Sequence, residues 1–250
     1  MISFANILDT GNQGDLAAGP YLYFNFPQHH VFNYSDALSE CSMVIYGGGT
    51  LTQWAASQKR VSKNRVLWGT GSTVHGSDVI PDDPEGFDIV GVREWSPERE
   101  ADGRYVPCVS CMLPWDREHE ITREAVLFVN ASESIKSRYP VAVAGLPTME
   151  NTKPVHEIEA FIGSAEVVVT NSYHGVYWST LMGRKVVCLP YSSKFYAFKY
   201  PPAYSENGGM DWREKAQDAE VYPTALGDCR FRNVRFYARV MTAMAEGLAA

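Results

Sequence analysis

His174 sits where chemistry is commonly done. It lies in the run Glu166-Val-Val-Val-Thr170-Asn-Ser-Tyr-His174-Gly175. Glu166–Thr170 is rich in β-branched residues and reads as a buried parallel strand. Asn171 and Ser172 are turn and N-cap types, and Gly175 lets the backbone leave the strand sharply. Val176–Met182 then reads as two helical turns stopped by Gly183, and Lys185–Pro190 as a second strand. A βαβ unit this tight brings Asn171, Ser172 and His174 to the carboxyl ends of the strands, where open α/β sheets bind ligands. An unperturbed imidazole titrates near neutrality, so a histidine there can exchange a proton or grip an anion.

Other residues of chemical type punctuate the N-terminal half. Phe87–Glu94 is an apolar run that delivers Arg93 at its end. A guanidinium there can hold phosphate or carboxylate in a bidentate fork, although a surface ion pair with Glu94 or Glu98 accounts for the residue types more plainly. Gly47-Gly48-Gly49 and Gly69-Thr70-Gly71-Ser72 each follow a strand and allow close backbone approach to an anion. Neither is a P-loop or a dinucleotide fingerprint, and a tight structural turn explains either alone. Asp9–Asp15 is a glycine-containing turn with Asn12 and Asp15 available to point inward. Lys194 follows the last strand of the βαβ unit closely enough to reach the same rim. Cys108 and Cys111 lack a second ligand pair, so two thiols packed in a core strand are expected and no metal.

The elements that must position these groups alternate strand and helix, which implies parallel sheets with helices on both faces. The charged, proline-broken stretch Leu113–Glu120 is the expected boundary. It divides an N-terminal Rossmann-like half, 1–118, from a C-terminal one, 119–250, facing across a cleft. Helices are expected over Thr50–Ser62, Ser132–Arg138 and Val155–Ile162. Strands are expected over Cys41–Tyr46, Arg65–Gly69, Ala125–Val129 and Val141–Ala144, with an extended run over Tyr105–Met112. Tyr21–Phe26 reads as a strand or a packed irregular segment, and Tyr204–Gly227 as irregular. Arg230–Leu248 reads as a helix that could pack back on the N-terminal half. Its apolar face would be Val234, Ala238, Met241 and Ala245, with Arg232, Arg235 and Arg239 largely opposite.

A chain of 250 residues, 45% hydrophobic and 20% charged, can bury one large core or two small ones. Its net charge of −7 argues against sequence-independent nucleic-acid binding. No apolar run approaches the ~20 residues that cross a bilayer, and the first residues lack a signal-peptide pattern. Five sparse cysteines fit reduced thiols in the cytoplasm, while the cationic helix face leaves peripheral contact with an anionic membrane open.

Thr170-Asn-Ser-Tyr-His-Gly175, with its short helix, hydrophobic strand, Pro190 and Lys194, resembles the C-terminal signature of the polysaccharide pyruvyl transferases, in the branch that carries serine rather than arginine before x-His-Gly. Asn12-Gln-Gly-Asp15, the Gly47–Gly49 loop and Val92-Arg93-Glu94 resemble that family's N-terminal blocks. The resemblance implies a two-Rossmann architecture of the GT-B kind and transfer of a pyruvyl group from phosphoenolpyruvate to sugar hydroxyls, forming a ketal. The acceptor would be a polysaccharide or a lipid-linked precursor, and no cofactor is implied. It further implies His174 as acid/base or phosphate ligand, Arg93 as the grip on carboxylate or phosphate, and Lys194 as a lesser partner. Asn12, Asp15, Gly48, Gly49, Gly71, Ser72, Asn171, Ser172 and Gly175 would line the substrate site. Ser172 in place of arginine removes one cation for the donor. A nucleotide-sugar glycosyltransferase and a non-catalytic glycan- or partner-binding relative remain the alternatives.

Overall fold

The computed structural model describes residues 1–248. It contains two five-stranded sheets in which every strand pair is parallel. The N-terminal sheet is built from β1 (Ile2–Asn6), β2 (His29–Asn33), β3 (Cys41–Gly47), β4 (Ser62–Thr70) and β5 (Ile89–Val92), in the order β2-β1-β3-β4-β5. Its helices are α1 (Gln13–Leu16), α2 (Thr52–Ser57) and α3 (Pro97–Ala101). The C-terminal sheet holds β6 (Arg123–Val129), β7 (Thr148–Glu150), β8 (Ala165–Thr170), β9 (Lys185–Cys188) and β10 (Ala203–Tyr204), in the order β10-β9-β8-β6-β7. With it go α4 (Glu133–Arg138), α5 (Val155–Gly163), α6 (Tyr173–Leu181), α7 (Trp212–Asp218) and the long α8 (Ala225–Leu248). This is the α/β architecture of two Rossmann-like halves.

Both sheets are covered on both faces, so their strands are continuous apolar runs rather than alternating ones. Successive side chains still part company: Phe4, Ile45, Val66 and Trp68 enter one core of the N-terminal sheet, and Ala5, Val44, Tyr46 and Leu67 the other. In the C-terminal sheet Val126, Phe128 and Val168 oppose Ala125, Leu127, Val167 and Val169 in the same way.

Helix α8 ties the two sheets together. Its first turns place Leu226 and Cys229 in the C-terminal core, and Phe236, Val240 and Met244 further along cover the N-terminal sheet. At 24 residues it is about 36 Å long, enough to reach both. The buried stripe differs from the expected one: Ala238 and Ala245 face solvent and Val234 is 48% exposed. The stripe passes through Asn233, a polar residue that periodicity of apolar types overlooks. Burial is tolerated because Asn233 Oδ1 accepts from Trp68 Nε1 at 2.9 Å and its amide donates to the Pro107 and Cys229 carbonyls. Of the arginines on this helix, Arg232 is committed to Asp228 and Glu100.

Several local expectations fail for identifiable reasons. Tyr105–Met112 forms no strand beyond a single bridge from Tyr105 to Val92. Val109–Met112 is instead a 3₁₀ turn, so the two cysteines are core thiols on a turn. Val141–Ala144 has the β-branched pattern but stays irregular, and the short edge strand forms at Thr148–Glu150 beside β6. Tyr21–Phe26 takes the second of its two expected forms, irregular and opening in the 3₁₀ turn Pro20–Leu22, whereas α2 is half the expected length. Trp212 and Ala216 give the supposedly irregular tail one helix with a buried face.

Candidate functional site

A cavity of about 580 Å³ is lined by both halves. Asn12, Asp15 and Arg93 reach it from the N-terminal sheet, and Ser172, His174 and Lys194 from the C-terminal one. The guanidinium at position 93 and the imidazole at 174 therefore share one space.

The C-terminal wall is the start of α6. Thr170 ends β8 and its Oγ1 accepts from Ser172 N–H at 3.0 Å. Ser172 Oγ then accepts from Gly175 N–H at 3.4 Å, capping a helix that begins three residues earlier than the sequence pattern implies. The amides of Tyr173 and His174, the first two helical positions, have no intrahelical acceptor by geometry. All nine residues of α6 are buried, so this helix presents a fixed positive end to the cavity.

His174 is only 3% exposed. Its Nε2 lies 3.4 Å from Cys108 Sγ, and its ring packs against Trp178 with centroids 5.1 Å apart. The other edge of the ring rests on Gly14. A Cβ at position 14 would stand 2.6 Å from His174 Cε1 and closer still to Nδ1 and Cγ. The glycine of Asn12-Gln-Gly-Asp15 is thus the surface on which the imidazole lies. Burial, then the positive charges of Arg93 and Lys194, push the His174 pKa well below its ordinary value. The near-neutral titration expected from sequence is therefore replaced by a ring that stays neutral at neutral pH. The buried Cys108 thiol is pushed up, which keeps it protonated beside that ring.

Arg93 is 4% exposed and stacks on the Tyr173 ring, its Cζ 3.8 Å from the centroid. It donates to Thr50 Oγ1 at 3.3 Å, and its Nε lies 3.7 Å from Glu94 Oε1 without a hydrogen-bond acceptor. Glu94 Oε1 accepts from Ser72 N–H at 2.9 Å. A side chain on Gly71 would strike this Arg93–Glu94 pair, so Gly71 makes room for the cation rather than for a ligand. Lys194 Nζ donates to Tyr191 Oη at 3.1 Å. Burial and the neighbouring Arg93 lower its pKa to about 8, against the pull of Asp15. Asp15 is the one carboxylate lining the cavity. Burial pushes its pKa up, opposed by Arg93, Lys194 and a 2.7 Å hydrogen bond from Asn12 Nδ2.

Six of the expected binding residues lie outside the lining. Gly48 and Gly49 turn the chain with positive φ, and the Gly48 amide donates to the Trp68 carbonyl. The Gly71 amide donates to the Gly49 carbonyl, and the Ser72 amide to Glu94. The N–H groups of Gly48, Gly71 and Ser72 are consumed within the fold, and these residues brace the rim outside the cavity lining. The Gly175 amide is likewise taken by the Ser172 cap, and Asn171 Oδ1 accepts from Asn130 N–H at 2.8 Å. Among the described residues no His, Cys, Asp or Glu group could hold a metal ion, and no helix is long and apolar enough to cross a membrane.

Asn151 escaped the sequence reading. It is buried at the end of β7, where its Nδ2 donates to Asn12 Oδ1 at 3.0 Å and its carbonyl accepts from Gln13 N–H at 2.9 Å. Its Oδ1 accepts from Ala131 N–H at 3.0 Å. One asparagine thereby joins the N-terminal motif to the C-terminal sheet. A polar residue followed by Thr-Lys-Pro reads locally as an ordinary turn, so nothing in the sequence marked it.

Residues 114–193 match the family model of the polysaccharide pyruvyl transferases. The match covers about a third of the chain, from the inter-sheet segment through β6, β8, α6 and β9 to the residue before Lys194. It indicates a transferase, with pyruvyl transfer in polysaccharide synthesis as the kind of chemistry and a sugar or polysaccharide as the kind of acceptor. No curated protein and no solved structure gave a match. Asn12, Asp15 and Arg93 lie outside the matched segment. What connects them to the matched segment is the geometry of the shared cavity.

Proposed function

We propose that this transferase moves the pyruvyl group of phosphoenolpyruvate onto two hydroxyls of a sugar in a polysaccharide or a lipid-linked precursor. One observation supports the reading most: Arg93, Lys194 and the amino end of α6 converge on one cavity whose lining holds a single carboxylate. Two cations and a helix dipole suit a donor with a phosphate and a carboxylate. Ser172 replaces the arginine of the other branch, and Arg93, stacked on the adjacent Tyr173, restores a cation at that end of the helix.

Roles follow from the ionisation of each group. Lys194, protonated at neutral pH with a pKa of about 8, is the acid that protonates the enol methylene. Asp15, its pKa raised, is the base that takes the proton of the attacking hydroxyl. A carboxylate would only repel the donor, so its place in the cavity fits work on the neutral acceptor. The hydroxyl oxygen bonds to C2 of the donor and the C2–O bond to phosphate breaks. The second hydroxyl then closes the ketal on C2. Of the two hydroxyl protons, one ends on the new methyl group and one leaves with the phosphate. His174, neutral and locked by Gly14 and Cys108, positions the donor at the start of α6. A phosphoenolpyruvate-dependent reaction places the protein in the cytoplasm, and a lipid-linked acceptor would bring it to the inner face of the membrane.

Calorimetric titration with phosphoenolpyruvate and, separately, with UDP and UDP-sugars tests the donor. Binding of phosphoenolpyruvate, with phosphate released when sugar acceptors are added, is expected. Tight binding of UDP without binding of phosphoenolpyruvate would replace this reading by nucleotide-sugar transfer.

A further inference from the structure

Three rings at one end of the cavity have been given no direct part in the chemistry described so far. His75 follows β4, Tyr139 follows α4 and Tyr191 follows β9. Their planes lie within 23° of one another. The centroid separations are 6.3 Å for His75–Tyr139, 5.8 Å for His75–Tyr191 and 5.0 Å for Tyr139–Tyr191. A column of three stacked rings would hold its outer pair at about the sum of the two inner spacings, and no pair here is so far apart. The rings therefore form no single column but overlap as offset pairs that share a common orientation.

Exposure grades across them. His75 is exposed, Tyr139 half-buried and Tyr191 buried, with Tyr191 hydrogen-bonded to Lys194 at the cationic end of the cavity. His75 and Tyr191 both line the cavity, as do Ser132 and Ile135 of the segment leading to Tyr139. The patch is held across the two halves by a short antiparallel contact. Gly76 N–H donates to the Tyr191 carbonyl and Ser193 N–H to the Val74 carbonyl, each at 3.0 Å. The same segments carry three buried hydroxyl oxygens without a hydrogen-bond partner: Thr73 Oγ1, Tyr139 Oη and Ser192 Oγ. Buried hydroxyls are ordinarily satisfied, and Thr73, the one of the three that lines the cavity, sits beside these rings as a partner for a ligand hydroxyl.

We propose that a pyranose ring of the acceptor docks against His75 and Tyr139, backed by Tyr191, with its hydroxyls directed towards Asp15 and Lys194. The identity of this ligand as the acceptor rests on the function proposed above. The apolar face of a pyranose carries weakly positive C–H hydrogens, which suit the negative face of an aromatic ring. One hydroxyl on its rim would satisfy Thr73 at the cavity wall. Burial and the charges of Lys194 and Arg138 hold the His75 pKa below its usual value, so the ring presents a neutral face at neutral pH. A nucleobase could also stack on such rings, and competition with UMP separates the two ligands.

Saturation-transfer NMR on the whole protein with the methyl pyranosides of galactose, glucose and mannose tests the proposal without any donor. Transfer to the ring protons of at least one glycoside is expected. His75→Ala and Tyr139→Ala should each weaken binding roughly fivefold, about 1 kcal/mol of ring contact. His75→Phe, which keeps a flat ring, should restore it. Thermal melting of each variant shows that the fold survives. No transfer from any glycoside, transfer unchanged in both alanine variants, or displacement of the glycoside by UMP would overturn the proposal. Because glycoside binding needs no phosphoenolpyruvate, failure of the donor assignment leaves this readout intact.

Discussion

Replacing Gly14 by alanine is the most direct perturbation of the contact between the N-terminal motif and His174. The added methyl would lie 2.6 Å from His174 Cε1 and closer still to Nδ1 and Cγ, whereas carbon atoms rest at about 3.5–4.0 Å, so the ring must move by roughly 1.5 Å. Trp178 and Cys108 leave little room for that movement. Overpacking of this kind costs about 1–3 kcal/mol, offset by about 0.5–1 kcal/mol from replacing a helical glycine. The melting temperature should therefore fall by no more than about 10 °C for a chain of this size. A misplacement of more than ~1 Å at the site should lower kcat/KM for phosphoenolpyruvate about 100-fold. A double-mutant cycle gives a readout independent of activity. In a His174→Ala background the methyl has space, so adding Gly14→Ala should cost nothing or stabilise slightly. The coupling between the two positions should then be about 1–3 kcal/mol by chemical denaturation. Additive destabilisation, or full activity in the single variant, would refute the packing argument.

Three further outcomes are expected. Asp15→Asn should lower kcat by roughly 10²–10⁴-fold while leaving the KM for phosphoenolpyruvate equal or smaller, since it removes a base and a repelling charge together; a rise in that KM with kcat intact would put Asp15 on the donor instead. The Lys194 ammonium is retained below its pKa of about 8 and lost above it, so kcat/KM should decline as pH rises past about 8. Lys194→Arg keeps the charge but holds its proton too tightly to deliver it, so it should lower kcat and abolish that limb; near-normal kcat in the variant, or a profile flat to pH 10 in the unaltered enzyme, would remove Lys194 as the acid. Asn151→Ala strands the Ala131 amide and frees Asn12, which should cost about 1–3 kcal/mol in denaturant melts, and an unchanged midpoint would show that Asn151 does not join the halves.

The amino-acid sequence by itself determined the strands that carry unbroken apolar runs, such as Val66-Leu-Trp68 and Val167-Val-Val169, and the turn chemistry at Ser172. Those signals are local: a β-branched run, a cap residue and a stop glycine act within a few positions of one another. It likewise supplied the short list on which Arg93, Asp15, His174 and Lys194 all appear. Only the tertiary structure decided what those residues are. Desolvation and neighbouring cations pushed the His174 pKa well below the neutral range, and lowered Lys194 into the range of a usable acid. The folded contacts gave the glycine loops to the scaffold, gave Gly14 to the imidazole, and brought Asn151 and His75 to the cavity from sequence that reads as ordinary loop. Ionisation and close approach depend on atoms far apart along the chain, and no periodicity in a single sequence encodes which distant surface a side chain will meet.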